Sequence, residues 1–429
     1  MSLIVMKFGG TSVGDLELIR RAAGRVAQRA AEGHQVVVVV SAMGHSTDEL
    51  VRMALSLTPD PPDRELDMLL STGEQVSIAL LAIALAQFGR PAVSFTGGQV
   101  GLKTSPTHTR ARVKSIDAER IIRELDAGRI VVVAGFQGVD DAGSITTLGR
   151  GGSDTTAVAL AAALHSEVCE IFTDVDGVYT ADPRRAPSAR KLSRISYDEM
   201  LELAVLGAGV MHARAVQFGK KYGVPIHVRH SHRPDPGTMI VKESPEMEES
   251  TVIGCALKED LGRVTLLEFP NSPGVTGALF KQIADADILV DDIIQTESEK
   301  GASISFTVEH TDLADVKPIA ERVLQKLGAG KLVIDVGLSK ISVVGLGMRS
   351  HSGVAATMFA ALGDIGVNIS NITTSEIKIS CIIDRPNGGK ALEAVHAAFG
   401  LGRSADEAGG PTSGAVVEPG VAPSSAASS

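Results

Sequence analysis

Aromatic residues and clusters of basic residues are scarce in this chain of 429 residues. Aromatic side chains make up 3% of the sequence, tryptophan is absent, and the formal net charge is −10. Proteins that bind nucleic acids use basic patches and stack bases on aromatic rings. These shortages therefore argue against a nucleic-acid partner.

Cysteines and long apolar runs are also few. Cys169, Cys255 and Cys381 lie far apart without C-x-x-C spacing, which predicts reduced core residues of a cytosolic protein rather than a disulfide frame. The apolar run Ile78 to Ala86 is much shorter than the roughly 18 residues that cross a bilayer. The N-terminus lacks a basic leader and a cleavage site. We therefore expect a cytoplasmic protein without a membrane segment.

In the first half of the chain, apolar segments of strand length alternate with segments of helical pattern. The pattern predicts a helix over Asp15 to Glu32, with Asp15 as its cap and Gly33 just after it. An alternation of this kind is typical of an α/β fold with a mainly parallel sheet, whose functional loops follow the carboxyl ends of the strands. The predicted strands are "SLIVMKF", Gln35–Met43, Ala92–Phe95, Ile130–Gly135, Cys169–Thr173 and Pro225–Val228.

A repeat occupies the second half, after the polar segment "KESPEMEES" at Lys242 to Ser250. Gly274 corresponds to Gly353 and Phe280 to Phe359, both at an offset of 79 (353 − 274 and 359 − 280). A constant offset indicates duplication, here of two βαββ modules that dock together. The segment "TVIGCALKE" is a candidate strand of the second module, which would intertwine the two.

The length of the chain predicts two or three domains, because one core rarely serves so long a chain. The tail is rich in Gly, Pro, Ala and Ser, a composition that predicts disorder. The predicted divisions are an α/β domain at 1–245, a linker or strand at 246–261, modules at 262–336 and 337–400, and a disordered tail at 401–429.

The stretch "VMKFGGTSVG" places Lys7 before Gly9 and Gly10 at the end of the first strand. Glycines let a backbone approach a ligand closely, and successive N–H groups bind anions. Lys7 then lies beside that anion site and can reach a phosphoryl group. The alternative is an ordinary Gly-Gly turn.

A second glycine cluster, "TTLGRGGSDTTAVALAAAL", surrounds Arg150, which looks buried in this pattern. A helix begins directly after it, and helix N-termini attract anions. Arg150 is suited to gripping a carboxylate or phosphate. The alternative makes Ser153 or Asp154 simple helix caps.

Two further stretches are chemically suggestive. "TDVDGVYTADPR" follows a strand, where a nucleotide-contacting loop is expected, although a turn-rich surface loop would have a similar composition. "HVRHSHR" contains His227, His230 and His232, but these neither share a helical face nor alternate cleanly. A metal site is therefore a weak alternative to a strand end near the nucleotide.

Taken together, these stretches resemble the amino-acid kinase superfamily and, within it, the aspartate kinases. The matching motifs, in order, are "KFGGTS", "VVVSAM", "STGEQVS", "TLGRGGSDTTA" and "TDVDGVYTADPR". The tandem repeat resembles the paired ACT domains of that family. The resemblance implies a mainly parallel three-layer sandwich followed by two ferredoxin-like ACT modules. It also implies ATP-dependent phosphorylation of the β-carboxylate of L-aspartate, the first step toward lysine, threonine and methionine.

The resemblance implies a role for each matching residue. Lys7 and Asp154 are the implied catalytic residues: Lys7 neutralises the phosphoryl group, and Asp154 orients Lys7 or the metal region. Mg²⁺ is expected to enter with ATP rather than at a protein metal site. The implied ATP-binding residues are Lys7, Gly9, Gly10, Thr173, Asp174, Tyr179, Asp182 and Arg184. The implied substrate-binding residues are Ser41, Thr47, Glu74, Arg150, Gly151, Gly152 and Ser153.

Regulation is also implied, since ACT pairs typically bind end-product amino acids, here threonine, lysine or both. The assembly would be a homo-oligomer, or α₂β₂ with a regulatory subunit started internally at Met247. The alternatives are an ACT pair that only dimerises, an amino-acid sensor without catalysis, and another acyl-phosphate-forming kinase. The candidate effector contacts are Val290, Asp291, Gln295, Val354, Asn368 and Ile369.

Overall fold

The computed structural model describes residues 2–207, 209–243 and 251–402. The strands are β1 Leu3–Phe8, β2 Gln35–Val40, β3 Ala92–Phe95, β4 Leu102–Thr104, β5 Val113–Ile116, β6 Ile130–Ala134, β7 Gln137–Val139, β8 Ile145–Thr147, β9 Val168–Thr173, β10 Arg194–Ser196, β11 Ile226–His230, β12 Thr238–Val241, β13 Gly254–Phe269, β14 Asp291–Ser298, β15 Gly301–Glu309, β16 Lys331–Val344, β17 Asn371–Thr374 and β18 Lys378–Asp384. The helices are α1 Leu16–Ala31, α2 Ser46–Leu57, α3 Asp63–Gln87, α4 Glu119–Asp126, α5 Gly152–Ala163, α6 Tyr197–Val205, α7 Ala213–Tyr222, α8 Val275–Asp285, α9 Leu313–Leu327, α10 Val354–Asp364 and α11 Gly388–Ala398.

An eight-stranded sheet forms the centre of the first domain, in the order β10-β12-β11-β9-β1-β2-β6-β3. Its strands pair in parallel except for β11 with β12. A separate four-stranded sheet has the order β5-β4-β7-β8. The predicted α/β class with a mainly parallel sheet is confirmed.

Both faces of the large sheet are buried, which explains why its strands are apolar throughout. Along β1, Val5 belongs to one core cluster, whereas Ile4 and Met6 belong to another. Helices α4 and α5 contact one face, while α1 and α3 contact the other. The result is three layers, helix, sheet and helix.

Local sequence signals explain several element bounds. The Asp15 side chain accepts a hydrogen bond from the Leu18 N–H at 2.8 Å and caps α1, as predicted. Strand β2 ends at Val40, earlier than the predicted Met43, because the backbone turns toward α3, where the Ala42 N–H donates to Glu74. The three cysteines are buried and unpaired, as predicted.

Helix α3 is long and apolar enough to cross a membrane by length and composition alone, and half of its most apolar window is buried inside the protein. It contacts β3, β6 and β8. Part of its buried surface is polar, since Asp67, Ser71, Glu74 and Ser77 are all buried. Ile78, Leu81 and Leu85 share an apolar core cluster with β6. This pattern is that of a core helix that supports a polar site.

The second half forms one six-stranded sheet in the order β14-β15-β13-β16-β18-β17. The first part of β13 pairs with the second part of β16, from Gly254 opposite Val344 to Lys258 opposite Lys340. The later part of β13 pairs with the beginning of β16, so each long strand contributes to both modules. Helices α8 and α10 begin and end at positions 79 apart, after Gly274 and Gly353 with φ values of 94° and 97°.

Some predictions fall outside the described residues. They concern the linker at 246–250, the internal start at Met247 and the tail from 403 onward. The exact domain bounds also stay predictions.

Candidate active site

Three predicted site residues lie at one edge of the large sheet. Lys7 pairs in register with Val39 of β2 and with Ile171 of β9, and both pairings are parallel. Ser41 follows Val39 by two residues, and Thr173 follows Ile171 by two. Because parallel strands end at the same edge, these three residues surround the carboxyl end of β1.

Lys7 and Asp154 form the central ion pair of this edge. Lys7 Nζ lies 2.6 Å from Asp154 Oδ1, and their side chains are 10% and 13% exposed. Asp154 lies in the first turn of α5, whose free N–H groups carry partial positive charge. A buried cation therefore lies beside a helix N-terminus, which is a favourable environment for phosphate.

The turn after β1 requires glycine mainly at Gly10. A Cβ atom there would lie 3.0 Å from both the Ala42 and Gly44 carbonyl oxygens. At Gly9 the N–H donates to the Phe172 carbonyl at 3.2 Å, so it is already occupied. That amide joins β1 to the end of β9 in this structure, and a role for it in binding phosphate stays a prediction.

The second glycine cluster forms the start of α5. Gly151 is the N-cap residue with φ of 65°, and a Cβ atom there would lie 2.2 Å from His212 Cβ. Ser153 and Asp154 lie inside the first turn, and no side chain in the described part of the chain caps this helix. The alternative in which they are simple caps therefore does not hold.

Arg150 is exposed, so the prediction that it is buried is wrong. Its neighbours Gly149 and Gly151 both have positive φ, at 74° and 65°, and they turn the loop outward. This exposure is not predictable from the sequence, because a glycine-rich loop leaves the direction of its single long side chain undetermined.

Glu74 is the most buried of the predicted site carboxylates. It is 3% exposed, and its Oε1 accepts from the Ala42 N–H at 3.1 Å. Its Oε2 has no hydrogen-bond partner among the described residues. Burial raises the pKa of Glu74 to about 7. A buried carboxyl oxygen without a partner is suited to receive a ligand donor such as an ammonium group.

The other predicted substrate contacts are partly or fully buried. Ser153 is 8% exposed, and a Cβ atom at Gly135 would lie 2.6 Å from its Oγ. A Cβ atom at Gly152 would lie 2.8 Å from Phe136 Cδ2, so this position also needs glycine. Thr47 is half-buried in the first turn of α2.

The predicted nucleotide residues line a cavity of roughly 800 Å³. Asp174, Tyr179, Asp182 and Arg184 all border it. Arg184 donates to both oxygens of Asp182, at 3.0 and 2.9 Å, and this hydrogen bonding lowers the pKa of Asp182. Thr173 lies just before this loop, and its hydroxyl donates to Asp174 at 3.0 Å.

Sequence reasoning missed Asp176 in the same cavity. The Tyr179 hydroxyl donates to Asp176 at 3.0 Å, and Lys191 and Arg233 lie 3.5 and 3.8 Å from its carboxylate. Burial alone would raise the pKa of Asp176, but the Tyr179 hydrogen bond and the nearby cations bring it below its usual value. The sequence signal for Asp176 was the second aspartate of the "TDVDG" motif, two residues after Asp174.

His212 and Arg214 were also missed. Arg214 donates to the Leu148 carbonyl and, at 2.9 Å, to the Ala111 carbonyl, so it fastens the strand end before the glycine cluster. Burial, and then the charge of Arg214, lowers the pKa of His212. Both residues precede or begin α7, which carries no recognisable motif.

The candidate effector residues have contrasting environments. The Asp291 carboxylate lies 2.5 Å from Lys340 Nζ, so an internal ammonium already pairs with it, and Gln295 accepts from Thr276 at 3.1 Å. Val354 is buried, whereas Asn368 is exposed. Val290 and Ile369 pack as partly buried side chains against the cores of their respective modules.

The histidine-rich segment makes local backbone contacts. A His227 ring nitrogen lies 2.6 Å from the Pro236 carbonyl oxygen, and His230 Nδ1 accepts from the His232 N–H at 2.9 Å. These contacts shape the end of β11.

The sequence model of the amino acid kinase family matches residues 2–230, and that of the ACT domain matches residues 341–399. The aspartokinase of Geobacillus stearothermophilus is 52% identical over 408 residues, covering 94% of this chain and 99% of that protein. The chain belongs to the aspartokinase family. The family resemblance drawn from the sequence motifs is thereby confirmed.

Solved members of the family share the fold. E. coli aspartokinase III in complex with aspartate and ADP (R-state) has a TM-score of 0.79 at 25% identity, covering 92% of this chain and 99% of that one. The same enzyme in complex with lysine and aspartate (T-state) has a TM-score of 0.73 at 26% identity, with the same coverage. The roles of individual residues in this chain stay predictions.

Proposed function

We propose that this enzyme transfers the γ-phosphoryl group of ATP to the β-carboxylate of L-aspartate. The observation that carries this proposal is the buried Lys7–Asp154 pair at the carboxyl end of β1, 2.6 Å apart. The E. coli relative solved with aspartate and ADP supports the choice of both substrates.

The reaction needs charge neutralisation more than proton transfer. A substrate carboxylate is already ionised at pH 7, so its oxygen attacks the γ-phosphorus without a general base. The new O–P bond forms as the bond from phosphorus to the β,γ-bridging oxygen breaks, and ADP leaves with that electron pair. Lys7 stabilises the negative charge of the phosphoryl group while it moves between the two oxygens.

The remaining groups position the two substrates. Arg150 and Ser153 bind the aspartate carboxylates, and Glu74, through its free Oε2, binds the ammonium group. Ser41 and Thr47 complete this pocket. Thr173, Asp174, Tyr179, Asp182 and Arg184 hold the nucleotide, while Gly10 allows the turn after β1 to approach the phosphates.

Mg²⁺ enters as part of the nucleotide substrate. This ion usually keeps several waters and binds through substrate phosphates and one or two carboxylates. Asp154, a carboxylate at the start of α5 beside Lys7, fits such a contact. When bound, the ion would supply additional positive charge on the phosphates.

An ADP-release assay tests the reaction directly. With Mg²⁺–ATP, we expect L-aspartate to release ADP well above the rate without acceptor, and glutamate and acetylglutamate to do so far less. A signal with one of those other acids alone would indicate a different acyl-phosphate-forming kinase. No ADP with any of the three would favour an amino-acid-sensing protein without catalysis.

We also propose feedback control by lysine, threonine or both through the ACT modules. The lysine-bound T-state of the E. coli relative and the ACT match support this. Titrating each amino acid alone and then jointly against aspartate-dependent ADP release measures the effect. If neither inhibits in any combination, the modules serve assembly rather than end-product control.

The cellular setting follows from this reaction. We propose a cytoplasmic enzyme at the first step toward lysine, threonine and methionine. It would assemble as a homo-oligomer, or as α₂β₂ with a regulatory subunit started at Met247. Native mass spectrometry of protein from the intact gene distinguishes the assemblies, because a second, shorter chain appears only in α₂β₂.

A further inference from the structure

We infer that Asp67, a residue without a matching motif, positions the aspartate-binding loop of this enzyme. The inference rests on the proposed function, in which Arg150 in that loop binds aspartate. Asp67 lies on α3 and is fully buried. A buried carboxylate is unfavourable unless its oxygens are well satisfied, so its partners indicate what it does.

Within the described residues, every side-chain hydrogen bond of Asp67 goes to residues 108, 109 or 147, beside the glycine cluster. Oδ2 lies 2.7 Å from His108 Nδ1, and Oδ1 accepts from the Thr147 hydroxyl at 2.5 Å. The Thr109 N–H lies 3.1 Å from both oxygens. Thr147 ends β8 and lies three residues before Arg150. The carboxylate therefore connects the 108–109 segment with the strand that leads into the loop.

Thr109 has a strained backbone that Asp67 holds in place. Its φ is 61°, in the left-handed region that β-branched residues rarely adopt. Such conformations persist where surrounding contacts fix them, and they concentrate at functional sites. Here the Thr109 N–H points at the Asp67 carboxylate, so losing that acceptor should let the backbone relax.

The strained segment lies directly against the loop. The Thr109 carbonyl oxygen would be 3.0 Å from a Cβ atom at Gly149, and the Ala111 N–H donates to the Thr147 carbonyl at 2.9 Å. Arg214 joins the same two segments through the Leu148 and Ala111 carbonyls. Relaxation at Thr109 would therefore move Gly149 and, with it, the exposed Arg150.

One face of helix α3 thus carries both the residue that binds the ammonium group of aspartate and the residue that positions the loop for its carboxylates. Asp67 and Glu74 are seven residues apart, which is about two turns and places them on the same side. Glu74 presents its free oxygen to the ammonium group, whereas Asp67 acts through the loop that carries Arg150. Asp67 is accordingly a positioning residue rather than a catalytic one.

Steady-state kinetics of Asp67→Ala test this assignment. We expect the KM for aspartate to rise at least about tenfold, as for loss of a charged hydrogen bond, while the KM for ATP stays within about twofold. Asp67→Asn keeps one acceptor oxygen and should recover part of the loss. Ser77→Ala is the matched control: Ser77 is buried on the same helix, but its hydroxyl donates to Gly73 of α3 itself.

A double variant separates positioning from general damage. If Asp67 acts through Arg150, adding Asp67→Ala to Arg150→Ala should raise the aspartate KM little further, because the two changes remove one interaction. Multiplicative effects, or an unchanged aspartate KM in folded Asp67→Ala, would overturn the inference. Should Asp67→Ala not fold, Asp67→Asn and His108→Ala are judged by the same criteria. Wild-type protein without aspartate-dependent ADP release would instead overturn the proposed function.

Discussion

The two sides of the proposed cleft differ in how their polar groups are held. At the end of β1 and on the acceptor side, Lys7 and Ser153 are each 8% exposed and Glu74 is 3% exposed, and the exposed Arg150 is the exception. On the nucleotide side Asp174 is exposed and the Arg184 side chain is 88% exposed. Burial strengthens electrostatic interactions and fixes geometry, so the acceptor side is built for precise charge placement.

The nucleotide side is instead fastened to the second ACT module. The Cys255 N–H donates to the Thr180 carbonyl at 2.7 Å, and the Thr180 hydroxyl lies 3.0 Å from His396 Nε2. Ala181, Ala186 and Ala189 belong to the same apolar cluster as residues of that module. The difference indicates that chemistry depends on the enclosed side, whereas a change in the ACT modules would reach the open side first.

Replacing Lys7 should have the largest effect. Lys7→Ala removes the buried cation beside the phosphoryl group, and we expect kcat to fall at least about a thousandfold. Steady-state ADP release measures this, with circular dichroism to confirm folding. Lys220→Ala is the control, since Lys220 is a half-exposed lysine paired with Asp198. A folded Lys7→Ala enzyme with near-normal turnover would remove the contrast between the two sides.

Arg150→Ala should have the next largest effect, on binding rather than turnover. A charged hydrogen bond contributes about 1.5–3 kcal/mol, so the aspartate KM should rise roughly 10- to 100-fold. Because Arg150 is exposed, folding should be unaffected. An unchanged aspartate KM would show that the glycine cluster does not hold the acceptor.

The fold was largely predictable because its signals are local and repeated. Apolar strands of the length of "QVVVVV" indicate a sheet buried on both faces, and the constant offset between Gly274 and Gly353 indicated the duplicated module. The shared strands of the two modules depend on the pairing of β13 with β16, which no local pattern determines in full.

The site residues were predictable where the residue type determines the chemistry. They were less predictable where the role depends on the direction in which a side chain or an N–H group points. Lys7 and Asp154 were paired by resemblance, and the structure places them in contact. The exposure of Arg150 and the occupied N–H of Gly9 depend on how loops pack, which the sequence does not show. Asp67 was missed because its partners, Thr109 and Thr147, are far away along the chain.

The pH dependence of kcat/KM for aspartate tests the role of the buried Glu74. Burial raises the pKa of Glu74 to about 7, and only the ionised form attracts an ammonium group. We therefore expect kcat/KM for aspartate to rise with pH up to about 7 and then level off, because this ratio reports the free enzyme. Glu74→Gln should abolish that rise and lower kcat/KM about tenfold at pH 8.

The stability of the folded protein should fall over the pH range in which kcat/KM for aspartate rises. Between the ordinary pKa of 4.5 and about 7, the folded state holds the Glu74 proton more tightly than the unfolded state. The free energy of unfolding should therefore fall as pH rises through that window, relative to Glu74→Gln. Urea unfolding of both proteins at pH 5 and pH 7.5 measures this difference. The same change in unfolding free energy in both proteins would mean that burial does not raise the pKa of Glu74.

Arg184→Ala should have the smallest effect of the four substitutions. Its guanidinium already pairs with Asp182 and is surrounded by solvent, which screens its charge. We expect the KM for ATP to rise by no more than about fivefold and kcat to stay nearly constant, because exposed ion pairs contribute little. ATP titration at saturating aspartate measures both. A loss comparable to that of Lys7→Ala would mean that the loop closes over ATP and buries Arg184, so that the open side becomes as enclosed as the acceptor side during the reaction.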